Sequence, residues 1–261
     1  GHRFVRHHLV DFGNALGVWA IAFPIPWSGF KHSVDSEYGL YSMLSLGIYQ
    51  RPWERIPDAD PHLQGVGWFE SELYDPGKFK TNQFYTPFVY TDRFDGFWAA
   101  KIMMQLTPEH IRAAVEQAKF RDPKATEYMV RTLIERQRKT ALHWFRKVNP
   151  LDRFALRSGE EGTSLCFDDL MIAHGFIAEE GTHYEADSVT ARGRALRWQE
   201  RATADERGHA CVDALRVPKL DDGYVIVRVS TVRGEQRERP VQVHIARDAR
   251  GEPRIIGIAR S

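Results

Sequence analysis

The strand-like segment that ends in Asp11-Phe12-Gly13 carries the residue types that best suit metal chemistry. A carboxylate oxygen at the end of a strand can bind Mg²⁺, because hard cations prefer oxygen ligands. The glycine two residues later lets the backbone turn away from the ligand, because it has no side chain. Asp11 is therefore the candidate metal ligand, and Asp11 with Gly13 forms the candidate cofactor-binding pair. No residue is assigned as catalytic.

This string resembles the metal-binding strand of protein kinases, above all the atypical secretory-pathway and phosphatidylinositol-kinase-like groups. The resemblance includes the Leu16-Gly17 element that follows, and it implies Mg²⁺ and ATP as cofactors. The glycine-rich phosphate loop, the ATP-pairing lysine and the catalytic Asp…Asn loop of kinases do not fit into the ten residues before Asp11. Those parts would have to precede Gly1. The alternative is that Asp-Phe-Gly is an ordinary strand-to-turn sequence.

The first 150 residues also resemble a group of uncharacterised bacterial proteins that are often exported. The strings that carry this resemblance are RHHLVDFGNALG (6–17), QRPWE (50–54), DGFWAAK (95–101) and TLIER (132–136). The resemblance implies a periplasmic or extracellular location and a two-part architecture, but no reaction. A longer region precedes the Asp-Phe-Gly strand in that group, so we expect an upstream segment of the same precursor.

Other candidate ligands are better explained as local structure. Asp58, Asp60 and His62 lie in one loop, but no further ligand follows at a recognisable spacing, which favours a solvated turn. The string Asp92-Arg-Phe-Asp95-Gly96 resembles half of a calcium loop, but the alternating acids of an EF-hand are absent. We therefore predict that Asp95 caps the helix that follows it.

The two cysteines, Cys166 and Cys211, fall in segments that are predicted as strands. Two cysteines form neither a disulfide scaffold nor a four-cysteine zinc site. Buried free thiols and a single disulfide between two sheets both remain open, and export would favour the disulfide. We expect no catalytic cysteine.

Helix signals dominate the first part of the chain. A short helix is predicted over 36–47, with Ser36 as its N-cap. Thr107-Pro108 places an N-cap before a proline, and Asp122-Pro123 repeats this signal before the longest apolar helical pattern. The segment 50–94 is rich in proline, glycine and aromatic residues, so we predict an ordered loop that packs against other elements.

Short alternating strands follow from residue 151 onward. The clearest ones cover 224–232, 240–246 and 254–258. These three predict a β-meander, and the whole set predicts an antiparallel β-sandwich of the immunoglobulin or fibronectin type. The predicted fold class is therefore α+β. Its two predicted domains are a mostly helical part with features of a kinase C-lobe (1–150) and the β-sandwich (151–261).

Composition excludes several classes of protein. Lys and Arg number 36 and Asp and Glu 35, so the net charge of +1 indicates no nucleic-acid partner. The longest apolar stretch, Ala15–Pro26, is shorter than the roughly 20 residues that span a bilayer, so no transmembrane span is expected. The region 119–147 carries nine basic and three acidic residues, which we interpret as a solvated helix face.

Two functions follow. The first is a non-catalytic exported binding or assembly protein, which acts with a protein partner or within a larger assembly. It is supported by the missing catalytic motifs, the terminal sandwich and the tryptophans in loops. The alternative is the metal- and nucleotide-binding half of an atypical kinase-like phosphotransferase, with Asp11 as the Mg²⁺ ligand and Gly13 as its turn.

Overall fold

The computed structural model of the chain describes residues 29–32, 34–55, 66, 69–81, 86–159, 162–215, 217 and 223–261. The chain divides into two compact units. The first comprises the described residues up to Thr91 together with Gln105–Thr140, and the second comprises Asp92–Met104 and Ala141–Ser261. The predicted domain boundary at 150/151 stays a prediction.

The first unit is helical. Its elements are α1 (Ser36–Leu44), a 3₁₀ helix (Pro52–Arg55), α2 (Thr86–Val89), α4 (Pro108–Glu116) and the first part of α5 (Pro123–Phe145). Thr107 caps α4 through a hydrogen bond from the His110 backbone N–H to its hydroxyl, and Pro108 follows as predicted. The core of this unit buries Met129 and Val130 of α5 against Phe69.

The loop around residues 69–74 is held in place by basic residues of α5. Arg136 lies 4.3 Å from the ring centroid of Phe69 and 4.0 Å from that of Tyr74. The Lys139 ammonium donates to the backbone carbonyl of Glu72 at 3.1 Å. Burial lowers the pKa of Arg136. These two residues therefore support the predicted packing of the 50–94 segment, and they do not form a purely solvated face.

Helix α3 (Arg93–Met103) belongs to the second unit, as does the end of α5 after Thr140. The Asp92 carboxylate accepts hydrogen bonds from two backbone N–H groups of the first turn, so Asp92 is the N-cap. The prediction that Asp95 caps this helix is wrong, because Asp95 lies inside its first turn. Phe97 of α3 packs against Phe145 of α5, with their ring centroids 5.8 Å apart.

The rest of the second unit consists of two antiparallel sheets. Its strands are β1 (Leu151–Gly159), β2 (Gly162–Asp169), β3 (Thr182–Val189), β4 (Ala195–Ala202), β5 (His209–Leu215), β6 (Val225–Arg233), β7 (Gln236–Arg237), β8 (Val241–Arg247) and β9 (Pro253–Arg260), with α6 (Leu170–Ala173) after β2. One sheet has the order β1-β2-β5, and the other has the order β4-β3-β6-β8-β9 with β7 beside β6. The chain is α+β, and the predicted meander is present as β6, β8 and β9.

One apolar core fills the space between the two sheets. It contains buried side chains from both, because alternate residues of each strand point inward. Side chains also join the sheet edges. The Trp198 indole N–H of β4 donates to the Asp213 carbonyl of β5 at 3.1 Å. The Arg260 guanidinium of β9 donates to the Leu151 carbonyl of β1 at 2.6 Å.

A disulfide joins Cys166 of β2 to Cys211 of β5. These residues lie directly opposite each other in the β2–β5 ladder, with their Cα atoms 4.0 Å apart. The cysteines are therefore bonded, but the bond lies within one sheet and does not connect two sheets. Among the residues that the structure describes, no helix is long and apolar enough to cross a membrane.

Candidate functional site

A groove in the first unit, beside α1, is a candidate site among the described residues. Its cavity volume is about 940 Å³. Five aromatic rings line it, from Phe30, Tyr38, Tyr41, Tyr49 and Trp53. The charged residues of the described lining are four cations, Lys31, Arg51, Lys78 and Lys80, and two acids, Asp35 and Glu37. An aromatic groove with a cationic excess suits an apolar ligand that also carries negative charge.

The start of α1 fixes one wall of the groove. Asp35 is the N-cap of α1 and accepts a hydrogen bond from the Tyr38 backbone N–H at 3.1 Å, so the predicted cap at Ser36 is wrong by one residue. The Lys80 ammonium reaches the same carboxylate at 2.9 Å and Glu37 at 3.3 Å. These ion pairs fasten the 77–80 segment to the helix.

The interactions at this wall favour the charged forms of Asp35 and Lys80. Burial by itself raises the pKa of Asp35, but the hydrogen bonds from Lys80 and from the Tyr38 N–H outweigh it, so the pKa is lowered. The pKa of Lys80 is raised, chiefly by its hydrogen bond to Asp35. The wall is therefore a stable ion pair at neutral pH.

Tyr38 lies at the centre of the aromatic cluster. Its ring centroid is 4.0 Å from the Lys31 ammonium and 3.9 Å from the Arg51 guanidinium carbon. The Tyr38 hydroxyl donates to the Glu54 carboxylate at 2.7 Å, which raises the pKa of Tyr38. The ring of Trp53 lies 5.9 Å away and stacks on Phe30 at 5.8 Å. The groove thus combines a stacked pair of rings, Phe30 and Trp53, with two cations against the Tyr38 ring.

An apolar rim continues from this groove. Helix α1 buries none of its residues. The segment 40–49 exposes seven large apolar or aromatic side chains, from Leu40, Tyr41, Met43, Leu44, Leu46, Ile48 and Tyr49. Leu44, Leu46 and Ile48 are 70%, 86% and 81% exposed. Such concentration of exposed apolar side chains is typical of an interaction surface.

The residues that the sequence singled out do not form this groove. Asp11 and Gly13 lie outside the described residues, as do Asp58, Asp60 and His62. The metal and cofactor predictions at these positions stay predictions. Most of the groove residues lie in the segments that were predicted as a short helix (36–47) and as an ordered loop (50–94). Their abundance of aromatic rings was the available signal.

Comparison of the chain with models of protein families, with curated proteins and with solved structures gave no match.

Proposed function

We propose that the protein is an exported binding or assembly protein, and that the groove beside α1 with its apolar rim (40–49) binds a segment of a protein partner. The observation that carries this proposal is the exposure of the rim. A helix that buries no residue gains little from tertiary packing, although packing is the usual source of helix stability in proteins. A bound partner would bury the apolar side chains of the rim and stabilise α1.

The chemistry of the groove narrows the partner. Aromatic rings and apolar side chains favour apolar residues in the bound segment. The described lining carries four cations and two acids, which favours carboxylates in the bound segment as well. The proposed occupant is therefore a protein segment with interleaved apolar and acidic side chains. Tryptophan and tyrosine are the residues that most often dominate the energy of such contacts.

Native mass spectrometry of the protein purified from its source tests this proposal. Leu44→Glu and Leu46→Glu alter side chains that are 70% and 86% exposed, so neither should unfold the chain. Ile256→Glu is the matched control, because Ile256 is 61% exposed on β9. We expect wild type and Ile256→Glu to carry a second protein chain that both rim variants lose. Retention by the rim variants, or a wild-type chain without a partner, would contradict the proposal.

The proposal also includes export of the protein and the type of its β-sandwich. The disulfide supports export, because disulfides persist in oxidising compartments such as the periplasm. The strand order supports the fibronectin or immunoglobulin type of sandwich. The first, second and fifth strands form one sheet, while the third and sixth are neighbours in the other. The relation to the often-exported bacterial group remains a proposal that rests on the quoted strings alone.

A further inference from the structure

The outer face of the β2–β5 ladder brings four chemically active side chains together. Cys166 lies opposite Cys211, and Asp168 lies opposite His209. Their sequence neighbours in both strands point into the sandwich core, so these four share the other face. The sulfur atoms and a ring nitrogen of His209 lie within 4.8 Å of one another.

The orientation of His209 follows from its partners. Its Nδ1 lies 2.8 Å from the Asp168 carboxylate. A carboxylate oxygen accepts hydrogen bonds, so Nδ1 carries the proton in neutral His209 and Nε2 presents its lone pair. This Nε2 lies 3.7 Å from the Sγ of Cys211. The other Asp168 oxygen accepts from Arg153 at 3.2 Å, which holds the carboxylate in place.

The two cysteine residues differ in exposure. Cys166 is 1% exposed, whereas Cys211 is half-buried beside His209, whose side chain is 34% exposed. A more exposed cysteine beside a base, bonded to a buried cysteine, suits thiol–disulfide exchange, because attack depends on access and on the thiolate fraction. The β2–β5 ladder already joins the two strands by backbone hydrogen bonds, so the disulfide is not needed to pair them.

We propose that Cys166–Cys211 is a thiol–disulfide exchange site at which an external thiol attacks Cys211, His209 accepts the proton of a second external thiol, and Asp168 positions His209. The thiolate of the external thiol attacks the Sγ of Cys211, and the bond to Cys166 breaks. Cys166 leaves as a thiolate and takes up the proton released by that thiol. A mixed disulfide on Cys211 results.

A second external thiol completes the exchange. Its thiolate attacks the external sulfur of the mixed disulfide, and Cys211 leaves as a thiolate. His209 takes up the proton of the second thiol and stabilises the Cys211 thiolate as an ion pair. Two thiols are thereby oxidised to one disulfide, and the protein disulfide is reduced by two electrons. The sequence contained no signal for this cluster, because only the strand register brings the four residues together.

Trapping with oxidised glutathione tests which sulfur reacts. Cys166→Ser leaves Cys211 as the single thiol, and Cys211→Ser leaves the buried Cys166. We expect the Cys166→Ser protein to form its glutathione mixed disulfide at least about tenfold faster, because thiol exchange depends on access and on the thiolate fraction. Equal rates, or faster reaction of Cys166, would overturn the proposal.

The role of His209 is tested in the reduced Cys166→Ser protein. We expect His209→Gln to reduce the ultraviolet absorbance of the Cys211 thiolate at neutral pH to that of an ordinary thiol, which is a few per cent ionised. Asp168→Asn should lower it in the same direction, because the amide no longer fixes the tautomer of His209. His244→Gln is the matched control, since His244 also bonds a side chain, the Tyr224 hydroxyl at 2.6 Å. An unchanged absorbance in His209→Gln would overturn the role of the imidazole.

Wild-type protein provides a test that no folding defect can obscure. Peptide mass mapping after incubation in glutathione redox buffers should find glutathione on Cys211, with an unchanged circular dichroism spectrum. A disulfide that stays closed in a largely reduced buffer would show a purely structural bond. Stoichiometric zinc uptake by the reduced chain without any exchange would assign the cluster to metal binding instead. Either result would overturn the proposal.

Discussion

Gly208 sets the register that places His209 opposite Asp168, and its replacement by alanine should be severe. Its φ is +78°, and a Cβ there would lie 2.6 Å from the Asp169 carbonyl oxygen and 2.8 Å from the Ala173 nitrogen. The left-handed backbone alone costs an alanine about 1–2 kcal/mol. The Asp169 N–H also donates to the Gly208 carbonyl at 2.8 Å, and loss of that bond adds about 1–3 kcal/mol. We therefore expect Gly208→Ala to lower the free energy of unfolding by roughly 2–5 kcal/mol.

Gly234→Ala separates the strain of the backbone from the close contact. Gly234 has a φ of +58°, and a Cβ there would meet no atom within 4 Å. Replacement of Gly234 should therefore lower the free energy of unfolding only by the cost of the left-handed backbone, about 1–2 kcal/mol. Urea unfolding of both variants, followed by circular dichroism of the strands, measures the difference. Losses that agree within about 0.5 kcal/mol would refute the argument from the close approach.

Three further perturbations test the remaining contacts. Asn149→Ala should lower the free energy of unfolding by about 2–3 kcal/mol in urea titration, because the buried Thr231 hydroxyl loses its acceptor at 2.8 Å. Trp198→Phe should cost about 1 kcal/mol or more by the same measurement, since the bond from β4 to β5 is lost. The Asp35–Lys80 pair should stabilise α1 fully above about pH 4, and this contribution should fade as the pH falls through the lowered pKa of Asp35. Nuclear magnetic resonance of α1 during acid titration should show that loss in wild type, and Lys80→Met should abolish most of the pH dependence.

Local signals in the sequence predicted much of the secondary structure. Thr107-Pro108 correctly predicted the start of α4. The Thr107 hydroxyl accepts a hydrogen bond from a backbone N–H of the first turn, and Pro108 has no N–H that would need a partner. The alternation over 224–232 predicted a half-buried strand, and β6 buries alternate residues along most of its length. The prediction of Asp95 rather than Asp92 as the N-cap of α3 was wrong, because the sequence offers two aspartates and the side chain of either one can cap a helix.

Long-range arrangement could not be predicted. No individual strand was predicted at the position of β1. Its pairing with β2 contains a bulge between Asp152 and Ala155. The groove depends on Lys80 reaching Asp35 across 45 positions of the chain. The Cys211–His209–Asp168 cluster depends on the register of two strands that are not consecutive. Spacing within the sequence carries no direct information about such contacts.

Photo-crosslinking from the apolar rim tests the central claim most directly. A photoreactive amino acid at position 46 would sample the proposed binding surface in the source cells, and the same residue at position 256 would be the control. We expect a discrete crosslink to one protein from position 46 only, mapped to a segment with apolar and acidic residues. Efficient crosslinking from position 256 alone, or none from position 46, would contradict it.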